Sequence, residues 1–116
     1  KVGKKIDVVT NIVRNLKLKN VKTSWINVKK INNRYDFVIS RSVSSYETIL
    51  KNCESIFLSD NQNEFENGFI LFKGGDLRNE FKNVSNFYTH EIFKKINLDF
   101  FNEKKLVHIP NPYNHT

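Results

Sequence analysis

At 116 residues the chain is long enough for at most one domain, and its 39% hydrophobic content, with 10 Phe, 4 Tyr and 1 Trp, is that of a globular protein rather than a disordered one. No apolar run approaches the roughly 18 residues of a membrane span, no charged leader with an apolar core is visible, and a single cysteine excludes an internal disulfide and any multi-cysteine metal site. Nineteen basic against twelve acidic residues leave a net charge of +7, which favours a polyanionic partner, RNA or DNA, through phosphate neutralisation.

The expectation from these bounds is a cytoplasmic protein with no membrane and no metal. Lys, Asn, Ile and Phe are also what AT-rich codons produce, so the charge alone does not identify the partner. The chain lacks methionine and opens on Lys1, before which an initiator methionine is not normally removed. A fragment of a longer chain or the relic of an eroded gene is therefore expected.

In chain order, Lys4 to Leu18 reads as an amphipathic helix. Ile6, Val9, Val13 and Leu16 recur at three- and four-residue steps, and Val8 and Ile12 widen the stripe. Lys17 and Lys19 favour its carboxyl end, and Asn20 is placed to cap it in a left-handed conformation. Val21 to Trp25 alternates like a short strand. Asn27 to Arg34 is polar, with Asn32-Asn33 as a turn.

A strand at 35–39 carries the apolar run Phe37–Ile39 and stops at Ser40-Arg41. A helix follows, with Ser44 and Glu47 spaced as a capping box. Its apolar face is Val43, Tyr46, Ile49, Leu50, Cys53, Ile56 and Phe57, so Cys53 reads as a buried structural thiol. Ser59 to Asn67 is a polar surface loop. Gly68 to Phe72 is a second buried strand, closed by Lys73-Gly74-Gly75-Asp76 and then a short helix through Phe81. Asn86–Ile92 and Lys104–Ile109 read as two last strands, with a packed connection of Phe93, Ile96, Leu98, Phe100 and Phe101 between them. Pro110 and Pro112 end regular structure, and 111–116 is expected to fray. The alternation of helix and strand indicates an α/β layered fold with a mostly parallel sheet.

The chain has no Walker lysine loop, G-x-G-x-x-G, H-E-x-x-H or nucleophile elbow. His90, His108 and His115 are scattered, and the acids at 60, 64 and 66 have no matching histidine. Two strand ends remain. Ligands of open α/β sheets bind beyond the carboxyl ends of the strands, where Ser40-Arg41 falls. Lys73-Gly74-Gly75 would stand at the same edge, where glycines let backbone amides approach an anion closely. Arg and Lys beside a glycine turn suit a nucleotide-like ligand or an RNA phosphate.

The segments Val2–Ile6, Leu18–Val21, Tyr35–Val43, Gly68–Leu77 and Lys104–Pro110, in this order and spacing, resemble the RsmG/GidB family. Its members are S-adenosylmethionine-dependent methyltransferases acting on guanine N7 in 16S ribosomal RNA. The resemblance implies a Rossmann-like class I methyltransferase fold with an antiparallel C-terminal strand, of which residues 1–110 are the C-terminal part of a single domain. The partners it implies are 16S rRNA or the small ribosomal subunit, and a missing N-terminal half.

Carried over by position, the family's cofactor-side element falls on Asn27-Val28-Lys29, making Val28 and Lys29 cofactor-binding through their backbones, and its S-R-A turn makes Arg41 cofactor-binding. Lys73, Gly74 and Gly75 fall near RNA. Asn27 stands where the family has arginine and Lys29 where it has an acid, and a lysine cannot accept a hydrogen bond from an adenine amine. The Gly-rich loop and acid of the family's first two strands have no counterpart, so the fold is expected to be truncated, with strands 1 and 2 absent. That leaves 21–25 without a neighbour and 35–39 with an exposed edge.

Guanine N7 carries a free lone pair, so its methylation needs orientation rather than a strong base, and no catalytic acid or base is assigned. The competing reading is a small basic, non-enzymatic RNA-binding module. It requires an exposed aromatic platform with flanking cations, whereas most Phe and Tyr fall on periodic buried faces.

Overall fold

The computed structural model describes residues 2–41, 45–74, 77–84, 86–92, 95–96 and 104–113. They belong to two units, Lys1–Ile31 and Asn32–Thr116.

In the first unit, helix α1 spans Val2–Asn15. Gly3, Ile6, Thr10 and Val13 are its half-buried positions, at helical spacing along one face. Thr10 and Thr23 hydroxyls meet at 2.8 Å, and the Trp25 ring lies against Gly3, where an added Cβ would sit 3.4 Å from it. The helix ends three residues earlier than the apolar pattern predicts. Leu18 N–H reaches the Val13 carbonyl and Lys17 N–H the Arg14 carbonyl, both at 3.1 Å, with Lys17 at φ 56°. This is the Schellman closure, with Lys17 rather than Asn20 in the left-handed position. Among the described residues no strand pairs with 21–25, so the predicted strand is an extended segment. Alternation alone does not make a strand where no backbone is available to pair with it. A single 3-10 turn, Val28–Lys30, closes the unit.

In the second unit, strands β1 (Phe37–Arg41), β2 (Gly68–Gly74), β3 (Tyr88–Glu91) and β4 (Lys104–Pro110) form one sheet in the order β1-β2-β4-β3. Helix α2 (Tyr46–Asn52) links β1 to β2, which run parallel. The β2–β4 and β4–β3 pairs are antiparallel. The sheet is therefore mixed: β1, β2 and β3 run in one direction, and the last strand, β4, runs against them between β2 and β3, the antiparallel C-terminal strand that the resemblance implies.

The register places Val38, Phe69 and Ile109 in one row and Ser40, Leu71 and Val107 in a second row on the same face. Phe69, Leu71, Val107 and Ile109 are at most 1% exposed. Tyr46 and Phe57 meet Phe69 edge-on, with ring centroids 5.9 and 4.9 Å away. Burying a side chain such as Phe69 contributes about 2–3 kcal/mol. Ser45 begins α2, its Oγ accepting the Thr48 N–H at 3.3 Å; Ser44, the predicted cap, lies outside the described residues, as does Val43. Cys53 is buried as expected, and burial pushes its thiol up from the ordinary value.

On the opposite face, His108 donates from Nε2 to the Glu66 carbonyl at 2.8 Å and packs among Phe37, Phe65 and Tyr88. It is a packed core histidine, whereas His90 is exposed. The predicted helix through Phe81 is instead a run of turns. Phe81 N–H bonds the Leu77 carbonyl and Val84 N–H the Phe81 carbonyl, while the Leu77 and Phe81 side chains enter the core.

Asn67, expected at the end of a surface loop, is 1% exposed. Its Nδ2 donates to the Leu58 and Asp60 carbonyls, each at 2.9 Å, tying the loop to the start of β2. Of the tail expected to fray, residues 111–113 are bonded and packed, and 114–116 lie outside the described residues. Asn111 N–H bonds the Asn67 carbonyl, and Tyr113 packs on Phe57 and Phe69 with its hydroxyl donating to the Leu50 carbonyl. Of the connection expected between the last strands, Ile96 is exposed, and Phe93, Leu98, Phe100 and Phe101 lie outside the described residues.

Candidate functional site

The parallel pair β1–β2 brings its two carboxyl ends together. Arg41 stands opposite Phe72, so Lys73 and Gly74 extend beside it by one and two residues. Neighbouring strand ends thus carry the guanidinium and the glycine turn that the sequence singles out. Alternation along the strands turns Arg41 and Lys73 to opposite faces of the sheet.

Arg41 and Gly74 are exposed, while Lys73 Nζ is bound to Glu80 Oε2 at 2.8 Å with its side chain 11% exposed. The ammonium assigned to RNA is thereby engaged within the protein. Gly75 lies outside the described residues.

Sequence reasoning missed Lys104 and Lys105. Antiparallel pairing sets Lys104 opposite Gly74 and Lys105 opposite Lys73, with Glu91 beside Lys105 on the next strand. The signal was present in the assignment of 104–109 as a terminal antiparallel strand, whose first residues must meet the end of β2. Four cations therefore gather at one end of the sheet. A cavity of about 690 Å³ is lined by Tyr46, Leu50, Asn67, Glu80, Pro110 and Asn111 among others. Arg41, Lys73 and Gly74 are not among its lining residues, whereas Glu80, which holds Lys73, is.

In the first unit, Asn27 Oδ1 accepts the Lys29 N–H at 3.0 Å, and the Val28 carbonyl accepts the Ile31 N–H at 3.1 Å. Of the backbone groups assigned to an adenine, these two are already engaged. The Lys29 side chain is a donor only. These residues do not by themselves make an adenine-recognising edge, and the described residues do not fit a complete S-adenosylmethionine site. Among the described residues no three His, Cys, Asp or Glu side chains come together as a metal group. No described helix is long and apolar enough to cross a membrane.

The class these features define is an α/β protein with a mixed sheet and a cationic, glycine-bearing carboxyl edge. Sequence comparison gives that class a closer resemblance. The chain is 35% identical over 112 residues to ribosomal RNA small subunit methyltransferase G of Christiangramia forsetii, covering 97% of this chain and 53% of that protein. It is 33% identical over 113 residues to the protein of the same name from Porphyromonas gingivalis, covering 94% of this chain and 50% of the relative. For that of Flavobacterium psychrophilum the figures are 34% over 107 residues, 92% and 51%. The chain thus spans about half the length of the curated relatives it matches, and the resemblance to RsmG read from the motifs extends along nearly all of it. No family model matches the chain. No solved structure matches it either.

Proposed function

We propose that residues 1–110 form the C-terminal part of an RsmG-type methyltransferase domain, which methylates N7 of a guanine in 16S rRNA and needs a further N-terminal half to bind its cofactor. S-adenosylmethionine would supply an electrophilic methyl group. The task left to this chain is to orient the acceptor base and hold the RNA backbone, because the N7 lone pair needs no base to activate it. Arg41 is the candidate to line the cofactor side. Lys73, Gly74 and Gly75 are candidates for the RNA side, with Lys73 fixed in place by Glu80. A cytoplasmic location beside the small ribosomal subunit belongs to the same reading.

The observation that carries it is the adjacency of Arg41 to Lys73-Gly74 at the shared carboxyl end of two parallel strands, where open α/β sheets take ligands. Two further features support it. The last strand, β4, runs antiparallel to β2, as the resemblance implies for the C-terminal strand of the domain. β1 lies at the sheet edge with Ile39 66% exposed, where the resemblance places a further strand.

Titration calorimetry tests the proposal. The chain alone is expected to give no binding heat with S-adenosylmethionine. Supplying the N-terminal half of the Christiangramia relative should restore binding, and Arg41→Ala should weaken it about tenfold. Micromolar binding by the chain alone, or none in the complemented pair, would overturn the reading.

A further inference from the structure

The net charge of the protein resides in its first 31 residues. Residues 1–31 hold nine basic residues and one acidic one, whereas residues 32–116 hold ten basic and eleven acidic. A codon bias towards lysine acts on a whole gene, so it does not produce a strongly cationic first unit beside a second unit of almost no net charge. All the described cations of the first unit, from Lys4 to Lys30, are exposed. Five of these eight follow the helix, at 17, 19, 22, 29 and 30, around the one tryptophan of the protein.

Trp25 is 72% exposed. The aromatic rings that build the sheet core, by contrast, are buried: Tyr46, Phe57, Phe69 and Phe81 are each at most 5% exposed. Gly3 lies against the Trp25 ring. The indole thus packs against the first turn of α1 while most of it faces solvent. An aromatic ring supported in this way, with lysines on both sides in sequence, is what sequence-tolerant binding of single-stranded nucleic acid requires: a platform for a base and cations for its phosphates.

We infer that residues 17–30 form an RNA-binding surface in which Trp25 stacks on an unpaired base and Lys19, Lys22 and Lys30 neutralise flanking phosphates. This deepens the proposed function and rests on it only for the choice of RNA over DNA. An anionic membrane is the less suitable partner for this charge. Membrane-surface helices carry their cations along a helix beside a broad apolar face, and here most of the cations lie beyond α1.

The experiment uses the whole 116-residue chain and a 12-nucleotide single-stranded RNA of mixed sequence, with affinity read by anisotropy of labelled RNA and stacking by the emission of Trp25. Binding should quench that emission and weaken steeply with salt. Trp25→Ala should weaken binding about fivefold or more. The exposed triple variant Lys19→Gln, Lys22→Gln, Lys30→Gln leaves the Trp25–Gly3 contact intact, and should lower the slope of log affinity against log salt by about 2. RNA binding with unchanged Trp25 emission, or an unaltered salt slope in the triple variant, would overturn the inference. So would binding to phosphatidylserine vesicles with none to RNA. Failure of cofactor binding in the calorimetric test leaves these readouts untouched, so the two proposals fail separately.

Discussion

Glu80 holds Lys73 at 2.8 Å, and the same Oε2 accepts the Tyr46 N–H at 2.9 Å. One carboxylate thereby joins the end of β2 to the first turn of α2, the two elements that flank the strand-end site. The pair differs from the exposed Glu47–Lys51 pair of α2, whose side chains are 80% and 73% exposed at 3.6 Å and which contributes little.

Glu80→Ala is accordingly expected to destabilise the protein by about 2 kcal/mol, because it removes the acceptor of a helix N–H and one partner of a largely buried ammonium. Glu80→Gln keeps an acceptor and should cost less. Urea denaturation measures both. Equal stability of Glu80→Ala and the parent would show that the pair holds nothing in place.

Gly68 allows a close approach of β2 to β4. A Cβ added there would lie 2.1 Å from the Ile109 carbonyl oxygen and 2.8 Å from Pro110 Cα. Both obstacles are backbone, so no rotamer change relieves them and β2 must move away from β4. Gly68→Ala should cost about 3 kcal/mol or more, seen calorimetrically as a fall in Tm of more than about 10 °C. A shift of only a degree or two would contradict the packing of this strand pair.

Asn67→Ala removes both donors to the Leu58 and Asp60 carbonyls and should destabilise by about 2 kcal/mol. Asn67→Asp tests the chemistry more sharply. A carboxylate offers no hydrogen to either carbonyl, so this variant should lose stability as pH rises and the acid ionises. Chemical denaturation at pH 4 and pH 8 makes the comparison. A variant equally stable at both would remove the assigned donor role.

Tyr113 gives the protein an alkaline limit. Burial first, then the neighbouring Cys53, Tyr46 and Glu54, raises its phenol well above the ordinary value of 10.0, and burial raises Tyr46 in the same direction. An acid whose folded pKa is raised contributes stability in full below its unfolded pKa and loses it as pH rises beyond that point. Unfolding free energy should therefore be flat with respect to these two groups up to about pH 10 and fall above it. Tyr113→Phe loses the bond to the Leu50 carbonyl, about 1 kcal/mol at neutral pH, and should show a shallower alkaline fall. An unchanged alkaline slope in that variant would refute the assignment.

Local pattern made several features readable from the chain alone. Periodicity in 46–57 identifies Tyr46, Ile49, Cys53, Ile56 and Phe57 as buried, although the helix itself stops at Asn52 and Phe57 pairs with Tyr35 in an isolated bridge. The apolar runs at Phe37–Ile39 and Gly68–Phe72 mark the parallel pair β1 and β2, and the residues that end them mark a shared carboxyl edge. The concentration of lysines before Ile31 is also visible without coordinates, although total charge conceals it.

Other features required the packed structure, since they depend on which backbone meets which. Alternation at 21–25 cannot supply a partner strand, and the return of β4 against β2 decides both the mixed sheet and the arrival of Lys104 and Lys105 beside Gly74 and Lys73. The burial of Asn67 and the docking of Tyr113 depend on carbonyls of Leu58, Asp60 and Leu50, distant in sequence or hidden in a loop that reads as polar. The sequence by itself determined which side chains seek the interior and where the strands end, because those follow from hydrophobicity and local backbone preference. Only tertiary structure decided which polar groups are already engaged, Lys73 by Glu80 and Lys29 N–H by Asn27, because a hydrogen bond or ion pair is settled by geometry to within an ångström and leaves no periodic trace in the chain.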